Sequence, residues 1–123
     1  MNDIDVHSHL KWIFEAFHLS VSRCDEIMSR FELEEFANRK PFELSDGERQ
    51  WVALALAVAM PADVCLLDEP LRGIDTVRTD KWLHILADEM NNGRSFVVTA
   101  HQIGCWGDRL KTYDMGSLSK SES

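Results

Sequence analysis

The spacing of apolar residues changes period several times along the chain, and each change predicts an element. Over residues 5–18, Leu10, Ile13, Phe14 and Phe17 recur at helical spacing, which predicts an amphipathic helix. A second helix is predicted to open at Ser22, where Ser22-Arg23-Cys24-Asp25 reads as a loose capping box with Asp25 in its first turn. Ile27, Met28, Phe31, Leu33 and Phe36 supply its apolar positions. It is expected to fade near Asn38, because Pro41 biases Lys40 away from helix. A third helix is predicted from the polar turn Leu44-Ser45-Asp46-Gly47-Glu48 to about Met60, just before Pro61. Trp51, Leu54, Ala55 and Val58 form its packing stripe, and its many alanines permit close neighbours.

The helical period then stops. Val64-Cys65-Leu66-Leu67 is a continuous apolar run, as in a parallel strand buried on both faces, and it ends in Asp68-Glu69-Pro70. After a loop over 71–75, Asp75 or Thr76 can cap a helix carrying Val77, Trp82, Ile85, Leu86 and Met90, with a stop at Asn92-Gly93. A strand is predicted over 95–99, followed by Ala100-His101-Gln102. Beyond it we expect a short helical piece over 103–108, an edge strand over 110–113 and a disordered tail from Ser117.

Composition narrows the function classes. A chain of 123 residues with 45% hydrophobic and 28% charged residues is expected to form one domain, or part of one. The net charge of -8 argues against a nucleic-acid footprint, which needs clustered Lys and Arg. No apolar stretch reaches the length of a membrane span, and the first residues lack the pattern of a signal peptide. Three widely spaced cysteines, Cys24, Cys65 and Cys105, fit free thiols in a reducing compartment. His7 and His9 would diverge by about 200° on a helix, so they read as surface residues. The acidic run Glu32, Glu34 and Glu35 reads as a solvated face.

Three places carry candidate chemistry. Ser45 and Asp46 are good N-cap types, and Gly47 allows close backbone approach. The helix behind them exposes unpaired N–H groups and a positive dipole end, a setting for an anion. Asp68 and Glu69 sit where ligands gather in parallel α/β sheets, at a strand's carboxyl end. His101 follows the next strand and can reach the same cleft.

In this order and spacing, the segments resemble the C-terminal half of an ABC-type (ATP-binding cassette) ATPase domain over roughly residues 20–116. Leu44-Ser45-Asp46-Gly47-Glu48-Arg49-Gln50 is similar to the signature loop, and residues 64–69 to the Walker B strand. Gly73-Ile74-Asp75 is similar to the D-loop, and Val98-Thr99-Ala100-His101 to the switch-histidine loop. The resemblance implies an α/β fold, the C-terminal part of a P-loop NTPase, with a short parallel sheet flanked by helices. It implies a helical subdomain remnant over 1–43, an ATPase core half over 44–116 and a tail over 117–123.

The cofactors it implies are ATP and Mg²⁺. Asp68 would hold the magnesium, Glu69 would activate the attacking water, and His101 would contact the γ-phosphate. Leu44, Ser45, Gly47 and Glu48 belong to the signature that clamps the nucleotide of an opposing subunit, and Asp75 would link the two sites. The implied partners are another ABC ATPase subunit or the missing Walker A half, and a transmembrane permease. The implied place is the cytoplasm, peripheral at the inner face of the membrane, without direct insertion and without nucleic acid.

Departures from the family pattern qualify this. No G-x-x-x-x-G-K-[ST] occurs, so the backbone cradle for the α- and β-phosphates and its lysine are absent from these residues. Asp46 stands where glycine is usual, and Trp51 and Leu56 stand where arginine is usual. Arg72-Gly73 replaces a small Ser-Ala pair. The reading that follows is the ATP-binding component, in part, of an ABC transporter, with little turnover expected from the chain alone. Two alternatives stand beside it. One is a non-catalytic partner that lends the signature in trans. The other is half of an ATPase of DNA repair or chromosome structure, from which the lack of a long coiled coil before Pro41 distinguishes it.

Overall fold

The structure, a computed structural model, describes residues 5–100 and Trp106. The expected short helix, the edge strand and the tail therefore lie outside the described residues. Among the described residues, four helices and two strands occur in the order α1 (Val6–Ala16), α2 (Val21–Arg30), α3 (Asp46–Ala59), β1 (Val64–Asp68), α4 (Thr76–Asn91) and β2 (Ser95–Thr99). Two 3-10 segments, Leu33–Phe36 and Pro41–Glu43, join α2 to α3.

Local chemistry sets most of these boundaries. Asp5 caps α1 by accepting from the Ser8 N–H at 2.8 Å. The cap of α2 is Ser20, not Ser22: the Ser20 Oγ accepts from the Arg23 N–H at 3.1 Å. Ile27 of this helix is fully inside the core. The same helix ends at Arg30, well before Asn38. Glu32 turns into left-handed backbone at φ 50°, which no α-helix can contain, and the chain resumes as a 3-10 turn. That break lets Phe31, Leu33 and Phe36 all face inward, which one continuous helix would not.

The described strands form a parallel pair joined by α4, with Cys65 opposite Phe96, Leu66 opposite Val97 and Asp68 opposite Thr99. Here the expectation of a strand buried on both faces fails. Cys65 and Leu67 are buried, whereas Val64 and Leu66 are 56% and 75% exposed. Val97 shares that open face at 55%. Strand side chains alternate between faces, and the buried residues of the helices pack with Cys65, Leu67, Phe96 and Val98 on one side. The other side of the sheet is an apolar surface.

One core runs through the described residues. Phe14 of α1, Ile27 of α2, Trp51, Leu54 and Val58 of α3, and Trp82, Ile85 and Leu86 of α4 belong to a single buried cluster. Trp51 is 1% exposed and its Nε1–H donates to the Phe31 carbonyl at 2.8 Å. Leu56 packs against the same cluster. The two positions where the family usually has arginine are thus part of the packing of α3 here.

A polar network ties the helices together. Glu89 is buried in α4, where an unpaired carboxylate would be costly. The Arg23 guanidinium donates to it at 2.9 Å and to the Val58 carbonyl at 2.7 Å. Arg94 donates to that carbonyl at 2.6 Å and to Ala62 O at 2.9 Å. The carbonyls that end α3 have no helical partners of their own, and two arginines from other elements serve them.

Candidate functional site

The turn before α3 is built by reciprocal hydrogen bonds. The Ser45 Oγ accepts from the Glu48 N–H at 3.1 Å, and a Glu48 carboxylate oxygen accepts from the Ser45 N–H at 2.9 Å. This capping box satisfies two backbone donors at once. Arg39 donates to the same Glu48 oxygen at 2.7 Å. The Ser45 N–H, then its hydroxyl and the Arg39 charge, hold the Glu48 carboxyl below its ordinary value. Ser45 is therefore the cap, and Asp46, in the first turn, is paired instead with Arg49. Leu44 is buried in the core and anchors the turn from beneath.

Replacing Ser45 by alanine is expected to cost about 1 kcal/mol of stability, readable in a urea denaturation curve. The cap also makes a pH prediction. A carboxyl held below its ordinary value stabilises the fold above that value, near 4.5 for Glu48. This contribution is lost as pH falls further, through the folded value. Glu48→Gln is therefore expected to flatten the acid limb of the stability-versus-pH curve below about pH 4.5 and leave its neutral limb parallel to that of the wild type.

Gly47 ties this turn to the loop after β1. A Cβ added at Gly47 would lie 2.5 Å from the Gly73 carbonyl oxygen, closer than a carbon and an oxygen can approach. Gly73 itself has φ +77°, where a side chain is strained. The Gln50 side-chain amide adds a bond to the Pro70 carbonyl at 3.1 Å. Arg72-Gly73, in place of two small residues, is thus compatible with close approach because the glycine takes the contact position. Asp75 caps α4, accepting from the Arg78 N–H at 2.8 Å and from its guanidinium at 3.1 Å. The turn at 45–48 and the loop leading to Asp75 are therefore in direct contact, with Leu44 buried beneath the turn, and Ser45 and Asp75 are both helix caps.

Asp68 is the last residue of β1, and it is exposed. Its Oδ1 accepts from the Thr99 hydroxyl. Glu69 leaves the strand with φ 49°, a left-handed conformation that costs a non-glycine residue roughly 1–3 kcal/mol. Its N–H is shared by the Thr99 carbonyl at 3.0 Å and the Thr99 Oγ1 at 3.1 Å. Sequence reasoning placed the two carboxylates correctly at a strand end but passed over Thr99. The available signal was a hydroxyl at the matching end of the neighbouring strand. His101 lies outside the described residues.

An exposed aspartate beside a glutamate, at the carboxyl end of a parallel strand, suits a hard cation that keeps most of its waters. Among the described residues no three His, Cys, Asp or Glu side chains converge on one point. A magnesium ion held by one carboxylate and by phosphate oxygens does not require such a cluster. Among the described residues, no helix is long and apolar enough to cross a membrane.

The parallel βαβ unit with carboxylates at its strand end, and a capped helix N-terminus tied to the following loop, define an α/β protein whose candidate residues gather at one strand end and one helix N-terminus. The family model for ABC transporters matches residues 2–72, and this chain belongs to that family. Over 103 residues it is 36% identical to the spermidine/putrescine import ATP-binding protein PotA of Roseobacter denitrificans, covering 80% of this chain and 28% of that protein. Over 78 residues it is 45% identical to the sulfate/thiosulfate import ATP-binding protein CysA of Synechocystis, covering 61% of this chain and 22% of the relative. The solved ATP-binding subunit of an ABC transporter superposes with a TM-score of 0.74 over 85% of this chain and 45% of its own, at 20% identity, and so shares the fold. A chain in a model of ribosome-bound archaeal Pelota and ABCE1 superposes with a TM-score of 0.70 at 28% identity, covering 82% of this chain and 16% of that one. This chain spans about a third or less of the curated relatives named here.

Proposed function

We propose that this chain is the signature- and Walker B-bearing portion of an ATP-binding cassette that hydrolyses ATP to drive transport across a membrane. The observation that carries the reading is the Asp68-Glu69 pair: Asp68 ends β1, Glu69 leaves it through left-handed backbone, and Thr99 at the end of β2 bonds both. Asp68 would hold Mg²⁺, and the ion when bound would neutralise charge on the phosphate oxygens. Glu69 would orient the attacking water and take its proton, and His101 would contact the γ-phosphate. Ser45, Gly47 and the N-terminus of α3 would meet the nucleotide of an opposing subunit. Close packing of Gly47 against Gly73 supports the idea that this surface and Asp75 act as one body.

The open face of Val64, Leu66 and Val97 supports a further part of the reading. It is an apolar sheet surface of the kind a complete α/β domain covers. The matched segments make up only 28% and 22% of the two curated relatives named above. We assign that face to the portion bearing Walker A, whose P-loop would supply the missing phosphate cradle. The assembled cassette would lie at the cytoplasmic side of a membrane beside a permease.

The test is reconstitution. The chain by itself is expected to show negligible ATP turnover. Combined with the Walker A-bearing N-terminal portion of a relative such as PotA, it is expected to give Mg²⁺-dependent phosphate release. Substantial turnover by the chain alone would overturn the half-site reading, and none from any combination would overturn the hydrolytic one.

A further inference from the structure

We propose that Thr99 is a positioning residue of the hydrolytic site, its hydroxyl holding both the Asp68 carboxylate and the backbone turn that carries Glu69. The inference rests on the ATPase reading above. Thr99 is the last residue of β2 and stands in register with Asp68 across the parallel pair. A hydroxyl has one hydrogen to donate and two lone pairs to accept with. The hydrogen goes to Asp68 Oδ1, and a lone pair takes the Glu69 N–H at 3.1 Å. The Thr99 carbonyl takes that same N–H at 3.0 Å.

Two consequences follow from this geometry. One oxygen of Asp68 is held by an uncharged donor, which restrains the carboxylate without neutralising its charge. The second concerns Glu69. In a continued strand, consecutive side chains point to opposite faces, so Asp68 and Glu69 could not serve one ligand. The left-handed turn at Glu69, φ 49°, breaks that alternation, and the double acceptance by Thr99 offsets its cost. Thr99 is itself exposed, so core packing does not call for a residue of this kind here. Valine would satisfy the strand equally well. Only the hydroxyl distinguishes threonine, and that hydroxyl is engaged on both sides.

The experiment compares Thr99→Val with Thr99→Ser in the full chain combined with the Walker A-bearing portion. Groups that orient a metal ligand typically change metal affinity or activity about 10–100-fold when removed. Thr99→Val is expected to weaken Mn²⁺ binding in the presence of ATP, read by electron paramagnetic resonance, by about tenfold or more. It is expected to lower kcat by a similar factor and to leave KM for ATP within about twofold, because the cradle is untouched. Thr99→Ser, which keeps the hydroxyl, is expected to restore both readouts. Wild-type values for the valine variant would overturn the assignment, and so would a serine variant as impaired as the valine one. A wild-type assembly that neither binds Mn²⁺ with ATP nor hydrolyses it would overturn the hydrolytic reading itself, and this proposal with it.

Discussion

Glu69→Gln, in the chain combined with a Walker A-bearing portion, is expected to lower ATP turnover by about 10²–10⁴-fold while nucleotide still binds. Glutamine keeps the size of the side chain and the backbone N–H that Thr99 accepts, so the turn at φ 49° is preserved. What it removes is the carboxylate that would take the proton of the attacking water. The effect should therefore fall on kcat, with KM for ATP nearly unchanged. Steady-state phosphate release beside a nucleotide-binding titration separates the two. Asp68→Asn is expected to differ in kind, raising the Mg²⁺ needed for half-maximal rate, because that residue would meet the metal. A Glu69→Gln assembly that turns over at the wild-type rate would remove Glu69 from the chemistry.

Trp51→Ala is expected to cost about 3–5 kcal/mol, the range for emptying a large aromatic site in a packed core. Trp51 is buried on α3, its ring lies 5.0 Å from that of Phe31, and its Nε1–H bonds the Phe31 carbonyl. Truncation would leave both a cavity and a buried carbonyl without its donor. Domains are commonly stable by only about 5–15 kcal/mol, so a loss of this size is a large fraction of the total and should lower the melting temperature well below that of the wild type. Trp51→Phe keeps most of the volume and loses the donor, and it should cost about 1–3 kcal/mol. Thermal unfolding followed by far-ultraviolet circular dichroism would rank wild type, phenylalanine and alanine in that order. Equal melting temperatures would show that the ring does not hold α3 to the segment after α2.

The same tryptophan shows where reading the chain met its limit. Its place in the stripe with Leu54, Ala55 and Val58 was legible from helical spacing. Its bond to Phe31 was not, because that bond depends on α2 ending at Arg30 and the chain turning at Glu32. A single non-glycine residue in left-handed backbone leaves no clear mark in the letters. The cap of α2 shows a smaller version of the same problem. Ser20 and Ser22 are equally good cap types, and only the tertiary structure shows that Ser20 takes the role.

The chain's own letters determined the candidate residues and their order: a serine-glycine turn, an apolar helix, a strand ending in Asp68-Glu69, and a helix opening at Asp75 or Thr76. These are local signals, since caps, glycines and apolar runs act within a few residues. Tertiary structure decided what joins them. Gly47 meets Gly73, Thr99 meets both Asp68 and Glu69, and Arg23 with Arg94 closes the end of α3. It also decided that β1 is covered on one face only, contrary to what its unbroken apolar run suggests. An apolar run records that both faces of a strand avoid water. It does not record which chain segment covers each face, because that depends on groups far away in sequence.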